Sequence, residues 1–223
     1  MSASSYAIEV VVSEPFGQNA YVLWREGRDD ALVFDPGFDP RGILSILRSN
    51  GRRPAMILDT HGHVDHIAGN AALKDAFPDV PLVIGRNEVD ALTDPDVNLS
   101  GPYGIPVISP PADRLVDDGE RIQVAGFDFE VREIPGHSKG SVVYVFSGEQ
   151  PPFVLGGDVL FAGSIGRTDL GGDLQQLLSG IGAKLMNLPD DTRVYSGHGP
   201  VTTIGQERRS NPYIRQFATS RPR

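Results

Sequence analysis

No cysteine occurs in the 223 residues, which removes disulfides, thiolate metal ligands and a cysteine nucleophile from the possibilities. Any bound metal must then be held by imidazole and carboxylate. No apolar run reaches bilayer-spanning length, and the start, Met1 to Val10, lacks the basic residues and apolar stretch of a secretory signal. A cytoplasmic protein without membrane contact is expected. Positive charge is also scarce: 20 Lys and Arg stand against 29 Asp and Glu, for a formal net charge of -9. Nucleic-acid binding is built on Lys and Arg neutralising phosphates, so DNA and RNA are not expected partners and a small-molecule substrate is. Low-complexity segments and internal repeats are absent too.

What is present is a globular composition, 39% hydrophobic and 22% charged, with 26 Gly and 18 Pro to make turns. This length can bury one large core, so residues 1–223 are expected to form one domain. Short β-branched or aromatic runs at 7–12, 20–25 and 31–34, the last closed by Asp35-Pro36-Gly37, predict an antiparallel meander. Ile43, Leu44, Ile46 and Leu47 have helical spacing that stops at Asn50-Gly51, and Met56, Ile57 and Leu58 read as a buried strand. Further on, the patterns predict a helix over 67–77, a strand over 81–84 and a short helix over 87–92. Residues 93–112, rich in Pro, Gly, Asp and Ser, read as a long surface loop of the kind that borders a site. Strands follow at 121–124, 127–134, 141–146 and 153–155, then a helix over 173–186 and a strand at 193–195. Two strand-then-helix halves predict two sheets packed face to face with helices outside, a four-layer αββα sandwich of the α/β class.

The five histidines are not scattered. His61, His63 and His66 fall within Thr60-His61-Gly62-His63-Val64-Asp65-His66, while His137 and His198 each follow a glycine just past an expected strand. Side chains at i and i+2 share a side only on extended backbone, so His61 and His63 belong to a strand end, unlike the i, i+4 pair of a helical zinc motif. Asp65 stands where the 67–77 helix should begin, a place for an N-cap as well as a ligand. Asp158 follows Leu155-Gly156-Gly157, where glycines let backbone approach closely, and supplies a carboxylate for a pair of metals. Asp59 is read either as an acceptor for a ligand's imidazole N–H or as a solvated strand-end carboxylate. Tyr144 reads as core, and Lys139 as exposed or as a contact to an anionic substrate.

These residues resemble the metallo-β-lactamase superfamily, whose signature T-x-H-x-H-x-D-H is followed by single distal His, Asp and His ligands. The resemblance covers nearly the whole chain and implies that one divalent ion is held by His61, His63 and His137 and the other by Asp65, His66 and His198, with Asp158 bridging. Zinc is the implied metal, iron or manganese being accepted by the same donors. Within the superfamily the chain is most similar to small bacterial proteins related to glyoxalase II, the hydroxyacylglutathione hydrolases, through 135–141, 157–169 and the stretch 197–212. Two features depart from those enzymes. Only 25 residues follow His198, whereas the two-domain enzymes carry a C-terminal helical domain that helps hold glutathione, so that platform is expected to be missing or rebuilt. Arg167 stands where the family has a lysine near the glutathione portion, but Thr168-Asp169 replaces the neighbouring aromatic, so Arg167 is read as a substrate contact or as the ion-pair partner of Asp169.

The resemblance implies thioester hydrolysis, with a water shared and activated by the two metals attacking the carbonyl and Asp65 serving as a ligand. Two alternatives on the same fold stay open: a persulfide dioxygenase with one iron on His61, His137 and Asp158, and a lactonase. Against the dioxygenase, Ser164 stands where those relatives usually have Cys. A β-lactamase is disfavoured by the missing export signal.

Overall fold

The computed structural model describes residues 5–220. Along the chain the elements are β1 (Tyr6–Ser13), β2 (Gln18–Arg25), β3 (Asp30–Phe34), α1 (Pro40–Ser49), β4 (Arg53–Leu58), α2 (Val64–Ile67), α3 (Asn70–Ala76), β5 (Leu82–Gly85), a 3-10 helix (Arg86–Leu92) and β6 (Arg114–Val116). There follow β7 (Arg121–Val124), β8 (Phe127–Glu133), β9 (Val142–Phe146), β10 (Phe153–Gly157), β11 (Leu160–Phe161), β12 (Ser164–Ile165), α4 (Leu174–Lys184), β13 (Arg193–Ser196), β14 (Thr202–Thr203), α5 (Ile204–Ser210) and α6 (Pro212–Ser220). Strands β1 to β6 form one six-stranded sheet in sequence order, and a second runs β14-β13-β10-β9-β8-β7.

Layering follows from the two-residue period of buried strands. Strand β2 is buried at all eight positions, and its alternate side chains serve different cores: Tyr21 and Leu23 join one cluster, Ala20, Val22 and Trp24 another. The first cluster lies between the sheets, where Leu32, Phe34 and Leu58 meet Phe129, Tyr144, Phe146 and Phe153. The second packs Val33, Ile57 and Leu82 under Ile43 and Leu47 of α1 and Leu73 of α3. A third packs Val143, Val145, Val154 and Val194 under Leu177 and Ile181 of α4 and Ile204 of α5. Three apolar seams between four layers make the expected αββα sandwich.

Helix starts follow local chemistry. Asp39 accepts from the backbone N–H of Gly42 to cap α1, whose first residue is Pro40, and Asp173 does the same for α4 through Gln176. The helix expected over 67–77 is instead two short ones. At Gly69 the chain touches residues 36 and 37 so closely that a Cβ there would lie 2.6 Å from the Pro36 carbonyl oxygen, and the Gly69 N–H donates to that oxygen at 2.5 Å. Asp65 is also not the N-cap: that position belongs to His63, which forms no side-chain cap, and Asp65 sits in the first turn of α2. The short strands β6, β11, β12 and β14 carry too few residues for a period to show in the sequence. The stretch 93–112 contains no helix or strand, as expected. No helix among the described residues is long and apolar enough to cross a membrane.

Candidate metal centre

Parallel pairing brings the ligand-bearing ends together. Strands β3 and β4 run parallel with Phe34 opposite Leu58, so Asp35 and the Asp59-Thr60-His61 segment leave the first sheet side by side. In the second sheet β10 and β13 run parallel with Gly157 opposite Ser196, which places Asp158 next to His198. The sheets are stitched at this same end: the Val142 N–H donates to the Thr60 carbonyl at 2.8 Å, the Asn19 N–H to the Gly197 carbonyl at 2.7 Å, and the Tyr21 hydroxyl to the Ser196 carbonyl at 2.8 Å.

All seven residues expected from the sequence converge here. His61 Nε2 lies 3.1 Å from His63 Nδ1 and 3.2 Å from His137 Nε2. His198 Nε2 lies 3.2 Å from Asp65 Oδ2. Asp158 stands between the two sets, 3.6 Å from His137 Nε2, 3.5 Å from His198 Nε2 and 3.4 Å from His66 Nε2. Three overlapping groups have ligand atoms that all lie within 4.8 Å of one another: His61, His63 and His137; His61, His66 and Asp158; Asp65, His66 and His198.

The positions of the protons show what this cluster can accept. The His137 Nδ1 faces the Arg167 carbonyl at 2.8 Å; a carbonyl only accepts, so Nδ1 carries the proton and Nε2 presents a lone pair. Thr60 donates its hydroxyl proton to Asp35 Oδ2 at 2.8 Å, so its oxygen accepts from His61 Nδ1 at 3.1 Å, and His61 Nε2 is a lone pair as well. Two lone pairs therefore face each other at 3.2 Å, an arrangement that a cation between them resolves. His66 Nε2 and Asp158 Oδ1, both buried, face each other at 3.4 Å without a formed hydrogen bond, a pairing that buried polar atoms rarely tolerate. At Gly197 a Cβ would fall 2.2 Å from Asp158 Oδ1 and 2.6 Å from His66 Cε1, so only glycine leaves the space open.

Electrostatics divides the cluster into two kinds of group. Burial pushes His61 well below its ordinary pKa and His63 down to about 3, keeping both neutral. Burial opposes ionisation of Asp158 and Asp65, yet His66 foremost among the surrounding imidazoles outweighs it and holds both below the usual carboxylate range. His66 is the counterpart: burial lowers its pKa, and the carboxylates of Asp35, Asp65 and Asp158 more than reverse that. Divalent metals are ligated by neutral imidazoles and ionised carboxylates; His61, His63, Asp65 and Asp158 are held in those forms, and the carboxylates that raise His66 and His198 supply the negative charge that draws divalent ions to the donor set.

Three supporting residues were not read from the sequence. Asp35, in a left-handed conformation at φ 48°, accepts from the Thr60 N–H at 2.6 Å and the Thr60 hydroxyl, and its Oδ2 lies 3.1 Å from His66 Nδ1. It occupies the place given to Asp59, whose carboxylate turns to Asn70 Nδ2 at 2.7 Å and is buried rather than solvated. Asp35 at the end of a strand parallel to the motif strand was the available signal, hidden by Asp-Pro-Gly reading as a turn. Thr60, named as part of the motif, is the relay between Asp35 and His61. Glu88 of the 3-10 helix is buried, and its two carboxylate oxygens accept from the N–H of Gly62 at 2.8 Å and of Gly140 at 2.5 Å. It thereby ties the His61–His63 segment to the loop after His137; nothing local in the sequence marks it.

A cavity of about 310 Å³ opens above the cluster, reaching His63, Asp65, His137, Asp158 and His198 at its base. Arg167 lines it but is exposed and paired with Asp169 through two contacts of 2.7 Å. Lys139 lies outside this cavity, exposed in an adjoining groove that His63 and His137 also line. Tyr144 is core, donating its hydroxyl to the Asp59 carbonyl at 2.8 Å.

The sequence profile of the metallo-beta-lactamase superfamily matches residues 13–198. Over 206 residues the chain is 40% identical to the "Probable metallo-hydrolase YqgX" of Bacillus subtilis (strain 168), covering 92% of this chain and 95% of that one. It is 35% identical to the hydroxyacylglutathione hydrolase GloC of Haemophilus influenzae (strain ATCC 51907 / DSM 11121 / KW20 / Rd), covering 93% and 97%. The crystal structure of BLEG-1 B3 metallo-beta-lactamase superimposes with a TM-score of 0.88 at 40% identity, covering 93% of this chain and 99% of that one. Matched from the end of β1 through His198, a span that holds all the ligand-bearing strand ends, the chain belongs to the metallo-beta-lactamase superfamily of metal-dependent hydrolases.

Proposed function

We propose that this chain is a cytoplasmic binuclear thioester hydrolase of the hydroxyacylglutathione hydrolase type, with the sandwich of residues 1–223 carrying the activity on S-lactoylglutathione-like substrates. The observation that carries the reading is the position of Asp158 between two histidine sets, within 3.6 Å of His137, His198 and His66. His61, His63 and His137 would hold one ion, Asp65, His66 and His198 the other, and Asp158 would be shared. When bound, two divalent ions, zinc in this reading, polarise a carbonyl and lower the pKa of water toward about 7.

The chain's own residues prepare that chemistry. Thr60 and the Arg167 carbonyl fix the imidazoles of His61 and His137 with their Nε2 lone pairs inward. Asp35 does the corresponding work at His66. Asp65, with its pKa lowered, serves as a ligand and not as the base. The described residues place no Ser or Thr hydroxyl against an imidazole as a nucleophile; Thr60, the one hydroxyl at a ligand histidine, is committed to Asp35. Arg167 and Lys139 are the cations available to a carboxylate of the thiol carrier. The likeness to GloC supports the thioester; the likeness to BLEG-1 makes a β-lactam the comparison substrate.

The test is a hydrolysis assay with S-D-lactoylglutathione beside other thioesters, lactones and a β-lactam, on protein whose metal content is measured. Thioester turnover with two metals per chain is the expected result. Absent thioester turnover in the doubly loaded protein would overturn the thioesterase reading, as would one iron per chain with oxygen uptake on glutathione persulfide.

A further inference from the structure

The wall of the cavity is chemically unlike its floor. Above the ligands it is formed mainly by Phe16, Leu99, Tyr103, Phe161, Ile165 and Leu170, with Ser164 and Arg167 as the polar members, Arg167 being already paired with Asp169. Phe16 lies in the turn between β1 and β2 and Tyr103 in the 93–112 loop; their rings meet edge to face at 5.7 Å, and Phe16 stacks on Phe38 at 5.8 Å. Tyr103 and Leu170 remain exposed at the rim.

Leu99 is the residue whose backbone demands an explanation. It adopts φ 68°, a left-handed conformation uncommon for any side-chain-bearing residue and natural to glycine. Its neighbours enforce it. Asn98 and Ser100 are both fully buried. The Asn98 amide donates to the carbonyls of Ala91 and Val107, its side-chain oxygen accepts from the Ser100 N–H, and its own carbonyl accepts from the N–H of Val64, the first residue of α2, at 2.9 Å. The Ser100 hydroxyl in turn accepts from the Val107 N–H. The loop is thus held on either side of Leu99 and tied to the metal-binding motif through the Asn98 carbonyl, and Leu99 lines the cavity. A leucine held in a backbone conformation natural to glycine, at a position that lines the cavity, points to a use for its side chain.

We infer that Leu99 is a specificity-determining residue and that the wall it belongs to binds an apolar arm of the substrate, an alkyl or aryl substituent beside the scissile carbonyl. The inference rests on the hydrolase reading of the same cavity. Burying successive methylenes against such a wall tightens binding by about fourfold each, so affinity rises with chain length until the cavity is filled.

The test separates the wall from the reaction. Straight-chain carboxylates from acetate to octanoate are titrated into the metal-loaded protein by calorimetry, for the parent chain and for Leu99→Gly, which relieves the backbone while deleting the side chain. Leu99→Ala, which keeps the strain, is the second variant, and thermal unfolding verifies that both are folded. The expected result is a dissociation constant that falls about threefold to fourfold per methylene in the parent and distinctly less steeply in both variants. Affinity independent of chain length in the parent, or a slope unchanged in Leu99→Gly, overturns the inference. Hydrolysis of acyl thioesters of matching chain length is followed in parallel. Chain-length-dependent binding without thioester turnover sinks the thioesterase reading and leaves the apolar wall standing.

Discussion

The two sheets contribute to the metal centre in different ways. The first delivers His61, His63, Asp65 and His66 in one run at the end of β4, whereas the second delivers His137, Asp158 and His198 one at a time, after β8, β10 and β13. Neither supply is sufficient: the His61–His63–His137 group and the Asp65–His66–His198 group each take a member from both sheets. The contiguous run makes the site recognisable, while the separate residues make it complete, and the stitching between Thr60 and Val142 and between Asn19 and Gly197 holds the two in register.

The comparison breaks most severely at Asp158, which lies between the two groups and is proposed to serve both. Asp158→Ala is expected to lower kcat/KM by more than about 100-fold, beyond the 10–100-fold typical of outer partners, with metal content falling below two per chain by elemental analysis. If both metals and activity persist, the second sheet is not contributing a shared ligand. Chelation tests the joint between the sheets. One ion present at about 1,000 times its dissociation constant stabilises by about 4 kcal/mol, so stripping even one should lower the unfolding midpoint of a chain this size by about 8–16 °C, and stripping both by more, reversed when metal is restored. An unchanged midpoint would mean that the sheets meet without metal help.

Smaller effects compare the supports on each side. Asp35→Asn leaves His66 without its carboxylate neighbour and is expected to weaken metal affinity about 10–100-fold, read by competition with a chromophoric chelator. Glu88→Gln keeps one acceptor oxygen but sets an NH2 against a backbone N–H, for a loss of about 1–3 kcal/mol in denaturant unfolding. Burial, opposed by those N–H groups, raises the Glu88 pKa. A carboxyl with a raised folded pKa gives stability that declines as pH climbs from its unfolded pKa through the folded one, so the parent should lose stability over that acidic interval and Glu88→Gln should lose less. An identical pH profile would remove Glu88 from the linkage. The smallest effect is expected at Arg167→Ala. Its pair with Asp169 is exposed and exposed pairs contribute little to stability, so the unfolding midpoint should not move; a rise in KM confined to anionic thiol carriers would assign the cation to substrate.

Much of this was legible. The alternation of Phe and Val in β8, the helical spacing of Ile43, Leu44, Ile46 and Leu47, and the His/Asp spacing each act over a few residues, where local geometry decides. Where readings failed, a distant segment decided. Gly69 ends a helix because residues 36 and 37 press against it, and Asp35 rather than Asp59 supports an imidazole because β3 pairs parallel to β4. Arg167 enters the centre through its backbone carbonyl, a group that carries no sequence signature at all.

By itself the sequence determined the kind of site: without cysteine, a dense His/Asp run on extended backbone and three glycine-preceded strand ends leave imidazole and carboxylate as the ligands of a metal centre in an αββα sandwich. The tertiary structure decided which nitrogen of each histidine faces inward, which carboxylate stands behind it, and that an apolar wall with a strained Leu99 rises above it. The reason is physical. Side-chain spacing is set by bonds within a few residues, whereas tautomers, burial and backbone strain are set by atoms that only folding brings within 3 to 4 Å.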